Sequence, residues 1–155
     1  APSRVGFKFK MSNLQAAIGC AQLERIDELV LRKQEILDLY RNRLYQLPGA
    51  TMNAEQDRSV SGAWMPTIRL SGYGEHIAAE LGEALNSADV DARPFFPPIS
   101  SLEMFDSQPE HTVAYRLAAE AINLPSFHAI TDDQLDKICT VVENVAQRKE
   151  RREFP

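Results

Sequence analysis

Lys8 and Lys10 stand two residues apart in GFKFKMS, residues 6–12, directly ahead of a stretch whose helical pattern begins almost wholly apolar. In an extended chain the period of two puts both ammonium groups on one side and Phe7 and Phe9 on the other. The free amides of a helix N-terminus favour anions. Two cations just before one therefore form a phosphate site or are ordinary solvated lysines. A second constellation, DARPFFPPISS at residues 91–101, joins Arg93 to Phe95, Phe96 and three prolines. Proline stiffens the backbone, so this loop is either a rigid wall that positions a ligand or a piece of aromatic core.

Other chemistry is missing from the sequence. It contains no phosphate-binding glycine loop, no zinc-like spacing and no nucleophile elbow. His76, His111 and His128 lie far apart with no ligand periodicity, as expected of surface or capping histidines. Cys20 and Cys139 lack CxxC spacing and are expected to be reduced packing residues. A net charge of −5 argues against general nucleic-acid binding, which needs a dominant basic field. The cationic cluster Arg148, Lys149, Arg151 and Arg152 suits a helix C-terminus. No apolar run approaches the roughly 20 residues of a membrane span and no signal peptide opens the chain, so a cytoplasmic protein with no membrane contact is expected. The first residue is Ala1, which leaves room for residues upstream.

These groups must be positioned by a chain of 155 residues, 44% hydrophobic and 25% charged. A domain of that size buries roughly 68 to 70% of the surface its unfolded chain exposes, enough for a core without staples. Ser12 and Gln15 form a capping box, so a helix should start at Asn13 and run to about Gln46, where Pro48 and Gly49 stop it. Leu23, Ile26, Val30, Leu37, Tyr40, Leu44 and Leu47 mark one buried face, interrupted only by Lys33. From Leu14 to Ala21 small apolar residues cover nearly the whole circumference and call for cover on every side. Gly19 in mid-helix costs about 1 kcal/mol relative to alanine, which suits a close backbone contact.

Beyond a polar stretch from Pro48 to Gly62, residues 63–70 are expected as a strand, with Pro66 pushing it towards an edge or a bulge. A helix over 75–85, an extended segment over 90–96, a helix over 112–121 and a short extended piece over 122–124 follow. Thr131 and Gln134 form a second capping box, ahead of a last helix to about Arg148 that buries Leu135, Ile138, Val142 and Val145. The fold class expected is α+β, a long N-terminal helix followed by a small, mostly antiparallel sheet covered by helices.

GFKFKMSNLQAAIGCAQLERIDE, residues 6–28, resembles the DegT/DnrJ/EryC1/StrS family of pyridoxal-phosphate-dependent aminotransferases acting on nucleotide-linked keto sugars, and most of all its perosamine synthase branch. Gly6, Phe7, Phe9, Lys10, Met11, Ser12, Gln15, Ala16, Ala17, Ile18, Gly19, Ala21, Gln22 and Leu23 match the family pattern. AWMPT at 63–67, VDARPFFPPISSLEMF at 90–105 and INLPS at 122–126 follow in the family's order. The resemblance thus covers essentially the whole chain.

The resemblance implies the small domain of a fold-type I transferase. Residues 1–47 would be a cofactor-proximal lead-in and long connecting helix, and residues 48–155 a C-terminal α+β domain. It further implies a larger N-terminal domain that holds the pyridoxal 5'-phosphate and its Schiff-base lysine, which is not expected among Lys8, Lys10, Lys33, Lys137 and Lys149. The lead-in would cross a homodimer to the partner's cofactor phosphate. Lys8 stands there in place of the usual asparagine. Lys10, Arg93, Phe95, Phe96 and Ser100 would contact the nucleotide-sugar substrate, Ser100 standing where many relatives carry histidine. Glutamate is the implied amino donor to a 4-keto-6-deoxy sugar. The rivals are a non-catalytic helical assembly module and a half-protein that needs a separate cofactor-binding chain.

Overall fold

The computed structural model of the chain describes residues 9–54 and 57–153, the side chains of 150–153 excepted. Lys8, and with it the expected alternation around Phe7, lies outside these residues. Five helices, α1 (Asn13–Leu23), α2 (Ile26–Leu44), α3 (Ile77–Ser87), α4 (Thr112–Glu120) and α5 (Asp132–Glu153), accompany four short strands. These are β1 (Ala50–Met52), β2 (Thr67–Leu70), β3 (Arg93–Pro94) and β4 (Ala121–Asn123). They form one sheet in the order β1-β2-β4-β3 with every neighbouring pair antiparallel.

Period explains the core. Ile77, Leu81 and Leu85 recur every four residues on α3 and are fully buried, as expected of one apolar helix stripe. Leu135, Ile138, Cys139, Val142, Val145 and Ala146 form the matching stripe of α5, and Ile36, Tyr40 and Leu44 that of α2. These stripes close over Ile68 and Leu70 of β2 and Ile122 of β4. The second capping box is present: the Thr131 amide donates to Gln134 Oε1 at 3.0 Å and the Gln134 amide to Thr131 Oγ1 at 3.3 Å.

Ser12 caps α1 as expected, its Oγ accepting from the Gln15 amide at 3.3 Å while its own amide donates to Gln15 Oε1 at 2.9 Å. The single helix expected over 13–46 is instead broken at Glu24–Arg25. There the Arg25 amide bonds Gln22 O at 3.2 Å, a tightened turn, and Arg25 leaves helical geometry at φ −118°, ψ 13°. Its guanidinium pairs with Glu28 at 2.7 Å in the first turn of α2. The break turns the expected buried stripe outward at its start: Leu23 is 68% exposed and Ile26 45%. No residue of α1 is buried. Cys20 is therefore exposed, not the packing residue expected, whereas Cys139 is buried.

Two strand expectations also change. The segment 63–66 is irregular, with Ala63 at φ 46°, and β2 begins only after Pro66. That strand is central rather than at an edge. Pro66 lies outside the strand's first residue, where its missing amide costs no ladder bond, and its carbonyl accepts from the Leu124 amide at 2.8 Å. The polar stretch from Pro48 contains β1, and α5 runs past Arg148 to Glu153. Among the described residues, no helix is long and apolar enough to cross a membrane.

Candidate functional site

The substrate loop expected over 93–100 leaves the sheet from β3, a strand of only two residues at the edge. Arg93 is exposed and its guanidinium meets Asp91 Oδ2 at 2.9 Å. Phe95 is half-buried, Phe96 is 57% exposed, and their rings meet edge to face with centroids 5.8 Å apart. Neither joins the core, so the loop is not the piece of aromatic core that was one expectation, and it faces outward. Ser100 sits in a short 3-10 turn, Ile99–Ser101, its hydroxyl 3.1 Å from the hydroxyl of Tyr115 on α4.

Arg93, Phe95, Phe96 and Ser100 are thereby brought onto one loop. Lys10 is not joined to them: it is exposed ahead of α1 and has no hydrogen bond or ion pair with that loop. His76 and His111 occupy the positions that open α3 and α4, without side-chain caps. His128 is exposed, with Nε2 3.1 Å from Leu29 O. No group of His, Cys, Asp or Glu among the described residues could hold a metal ion.

The sequence reading missed what holds this loop. Asn123 is 4% exposed, the one buried amide or charged side chain among the described residues. Its Nδ2 donates to the Pro94 carbonyl at 3.2 Å, and its Oδ1 accepts from Thr67 Oγ1 at 2.7 Å. The Thr67 amide in turn donates to Asn53 Oδ1 at 2.7 Å. One hydrogen-bonded row therefore joins β3, β4, β2 and the residue that follows β1, at the end of the sheet where the Arg93 loop departs. Its only trace in the sequence is an asparagine among the apolar residues Ile122, Leu124 and Pro125.

A family model, the DegT/DnrJ/EryC1/StrS aminotransferase family, matches residues 2–143. The chain belongs to that family. It is 34% identical over 143 residues to the GDP-perosamine synthase of Vibrio cholerae, covering 90% of this chain and 39% of that protein. Among solved structures, Helicobacter pylori PseC, an aminotransferase involved in pseudoaminic acid biosynthesis, superposes with TM-score 0.82 at 18% identity, over 94% of this chain and 40% of that one. The Streptococcus pneumoniae protein Spr1654 in its PLP form gives TM-score 0.81 at 20% identity, over 90% and 36%. At these identities the structural likeness is one of fold. The chain spans about two fifths of the length of these proteins.

The cofactor associated with the family does not fit the described residues alone. A lysine that carries pyridoxal phosphate needs enclosure and a partner for the pyridine nitrogen. Lys33 is bonded to Ser126 and Lys149 to Glu80, while Lys10 and Lys137 are exposed. Lys137 borders a cleft of about 450 Å³ with Asp89, Asp91 and Phe127, but that cleft is open to solvent.

Proposed function

We propose that these residues are the C-terminal part of a pyridoxal-phosphate-dependent aminotransferase that moves an amino group from glutamate to a nucleotide-linked 4-keto-6-deoxy sugar, as a perosamine synthase does. The observation that carries this reading is the 34% identity to a GDP-perosamine synthase over 90% of the chain. Residues 1–47 serve as lead-in and connector and residues 48–155 as the small domain. The C-terminal half of α2 is built into the core of the second part through Ile36, Tyr40 and Leu44.

In this reading Lys8 reaches the cofactor phosphate of a second subunit in a homodimer. Lys10 and Arg93 bind the anionic substrate, Phe95 and Phe96 wall the sugar, and Ser100, oriented by Tyr115, bonds a sugar hydroxyl. The cofactor, held mainly by residues outside this chain, supplies the carbanion-stabilising chemistry. Amine passes from glutamate, which leaves as a 2-oxo acid, to the sugar ketone. The apolar surface of α1, with Leu14 78% and Ile18 65% exposed, is covered by the large domain and the second subunit.

The test assays residues 1–155 and the complete gene product containing them with glutamate, pyridoxal phosphate and a GDP-linked 4-keto-6-deoxy sugar. Amination by the complete product and none by residues 1–155 is expected. Turnover by residues 1–155 alone, or none by the complete product, overturns the reading.

A further inference from the structure

The edge strand β3 is poorly equipped to hold itself. It has two residues, and the second, Pro94, has no amide to give to a ladder. Yet Arg93 lies on it and Phe95 and Phe96 on the loop that follows, and a wall that positions a ligand gains from being fixed beforehand.

Asn123 makes good that deficit. In register it stands opposite Arg93 of β3 on one side and Thr67 of β2 on the other, and directly opposed residues share a face of the sheet. The Pro94 carbonyl can only accept, so the Asn123 amide must turn Nδ2 towards it, at 3.2 Å. Oδ1 is left to accept from the Thr67 hydroxyl at 2.7 Å. Thr67 is itself tied through its amide to Asn53 at 2.7 Å, and the Asn53 carbonyl receives Arg41 of α2 at 2.8 Å. Pro94 is thus anchored through Asn123 to the central strands and to α2, by a side chain shielded from competing water.

We propose that Asn123 is a positioning residue: it fixes the Arg93–Ser100 loop through the Pro94 carbonyl, so that affinity for the nucleotide sugar depends on a side chain that does not touch it. The substrate half of this statement rests on the proposed function, and the fixing of the loop does not.

Asn123→Asp keeps the shape but presents an acceptor to the Pro94 carbonyl. Val142→Ala, a fully buried site on α5, serves as a control for general loss of stability. Amide hydrogen exchange is measured on the 155-residue chain. In N123D, exchange at Ser101 and Leu102, whose amides bond Pro98 O and Ile99 O, is expected to accelerate about tenfold or more, with α5 amides unchanged. V142A is expected to accelerate α5 without that local excess. Equal acceleration everywhere in N123D, or none at the loop, overturns the proposal. Should N123D not fold, N123S, too short to reach Pro94, is read the same way.

In the complete enzyme, N123D is expected to raise KM for the nucleotide sugar about fivefold or more with kcat within about twofold. A loosened loop with unchanged KM overturns the substrate half of the proposal. An inactive wild-type enzyme would overturn the proposed function instead, and the exchange measurement would still decide whether Asn123 fixes the loop.

Discussion

The Lys33 ammonium, on the apolar stripe of α2, donates to both the carbonyl and the hydroxyl of Ser126, 93 residues away. That hydroxyl in turn donates to the Trp64 carbonyl at 3.2 Å. Neighbouring groups grip the same loop: Tyr40 donates to Pro125 O at 2.8 Å, and Arg32 to His128 O at 3.2 Å and Ile130 O at 3.0 Å. The lysine that interrupts the apolar pattern is therefore a clasp between α2 and the loop after β4. Lys33→Met keeps the aliphatic stem and removes the donors. It is expected to cost about 1 kcal/mol, since the site is partly open to water, and urea unfolding of the two proteins checks it.

Alkaline pH should weaken the fold through Cys139. Burial pushes its thiol up to about 11 from an ordinary 9.0, and burial likewise raises the Tyr40 phenol. Between pH 9 and 11 the unfolded chain has released the thiol proton and the folded chain has not, so stability present below pH 9 is lost as pH rises. The slope stays below about 1.4 kcal/mol per pH unit, the limit for one proton. Lys33 works in the opposite sense: burial lowers its ammonium below 10.5, so its penalty is relieved as pH climbs towards that value. Unfolding free energies from pH 8 to 10 should fall more steeply for the wild type than for Cys139→Ala, which has no thiol to titrate. Parallel curves would show that Cys139 is not responsible.

Two glycines should answer alanine in opposite ways. Gly49 sits at φ +68°, and a Cβ there would lie 2.2 Å from the Ser71 carbonyl oxygen of the adjoining turn. Gly49→Ala is expected to cost about 2 kcal/mol or more. Nothing lies within 4 Å of the corresponding position on Gly19, so in this chain Gly19→Ala should strengthen α1 by about 1 kcal/mol, seen as increased helical circular dichroism. If the proposed second subunit closes on α1 in the complete gene product, the same substitution should weaken that association, measured by sedimentation.

What the sequence made legible follows from what leaves a local mark. The Ser12 and Thr131 capping boxes and the i, i+4 stripe of Ile77, Leu81 and Leu85 are short-range signals, and the structure contains them. The break at Arg25 has no glycine or proline to announce it, and the Arg25–Glu28 pair beside it is of a kind that recurs within unbroken α2, at Arg32–Glu35 and Asp38–Arg41. β1 exists only because Ala50, Thr51 and Met52 pair with Leu70, Arg69 and Ile68, a relation between segments. Asn123 was hidden for the same reason. Its partners Thr67 and Pro94 are 56 and 29 residues away, so only the assembled sheet shows that one amide ties the strands together. The Arg93 loop was legible because proline and aromatic residues are conspicuous within a single run.

Arg93 offers a separation of binding from stability. Its side chain is 72% exposed and its partner Asp91 76% exposed, and ion pairs so open to water contribute between nothing and about 1 kcal/mol. Arg93→Ala should therefore leave unfolding of the 155-residue chain within about 0.5 kcal/mol of wild type. In the complete enzyme the same change removes a cation from the proposed substrate wall, where a charged hydrogen bond to an anionic ligand is worth about 1.5 to 3 kcal/mol. That corresponds to an increase of roughly ten- to a hundredfold in KM for the nucleotide sugar, with KM for glutamate unchanged. Lysine at the same position keeps the charge but loses the planar fork, so it should restore only part of the affinity. A variant with normal KM for both substrates would remove Arg93 from the site while leaving the fold, and the family, untouched.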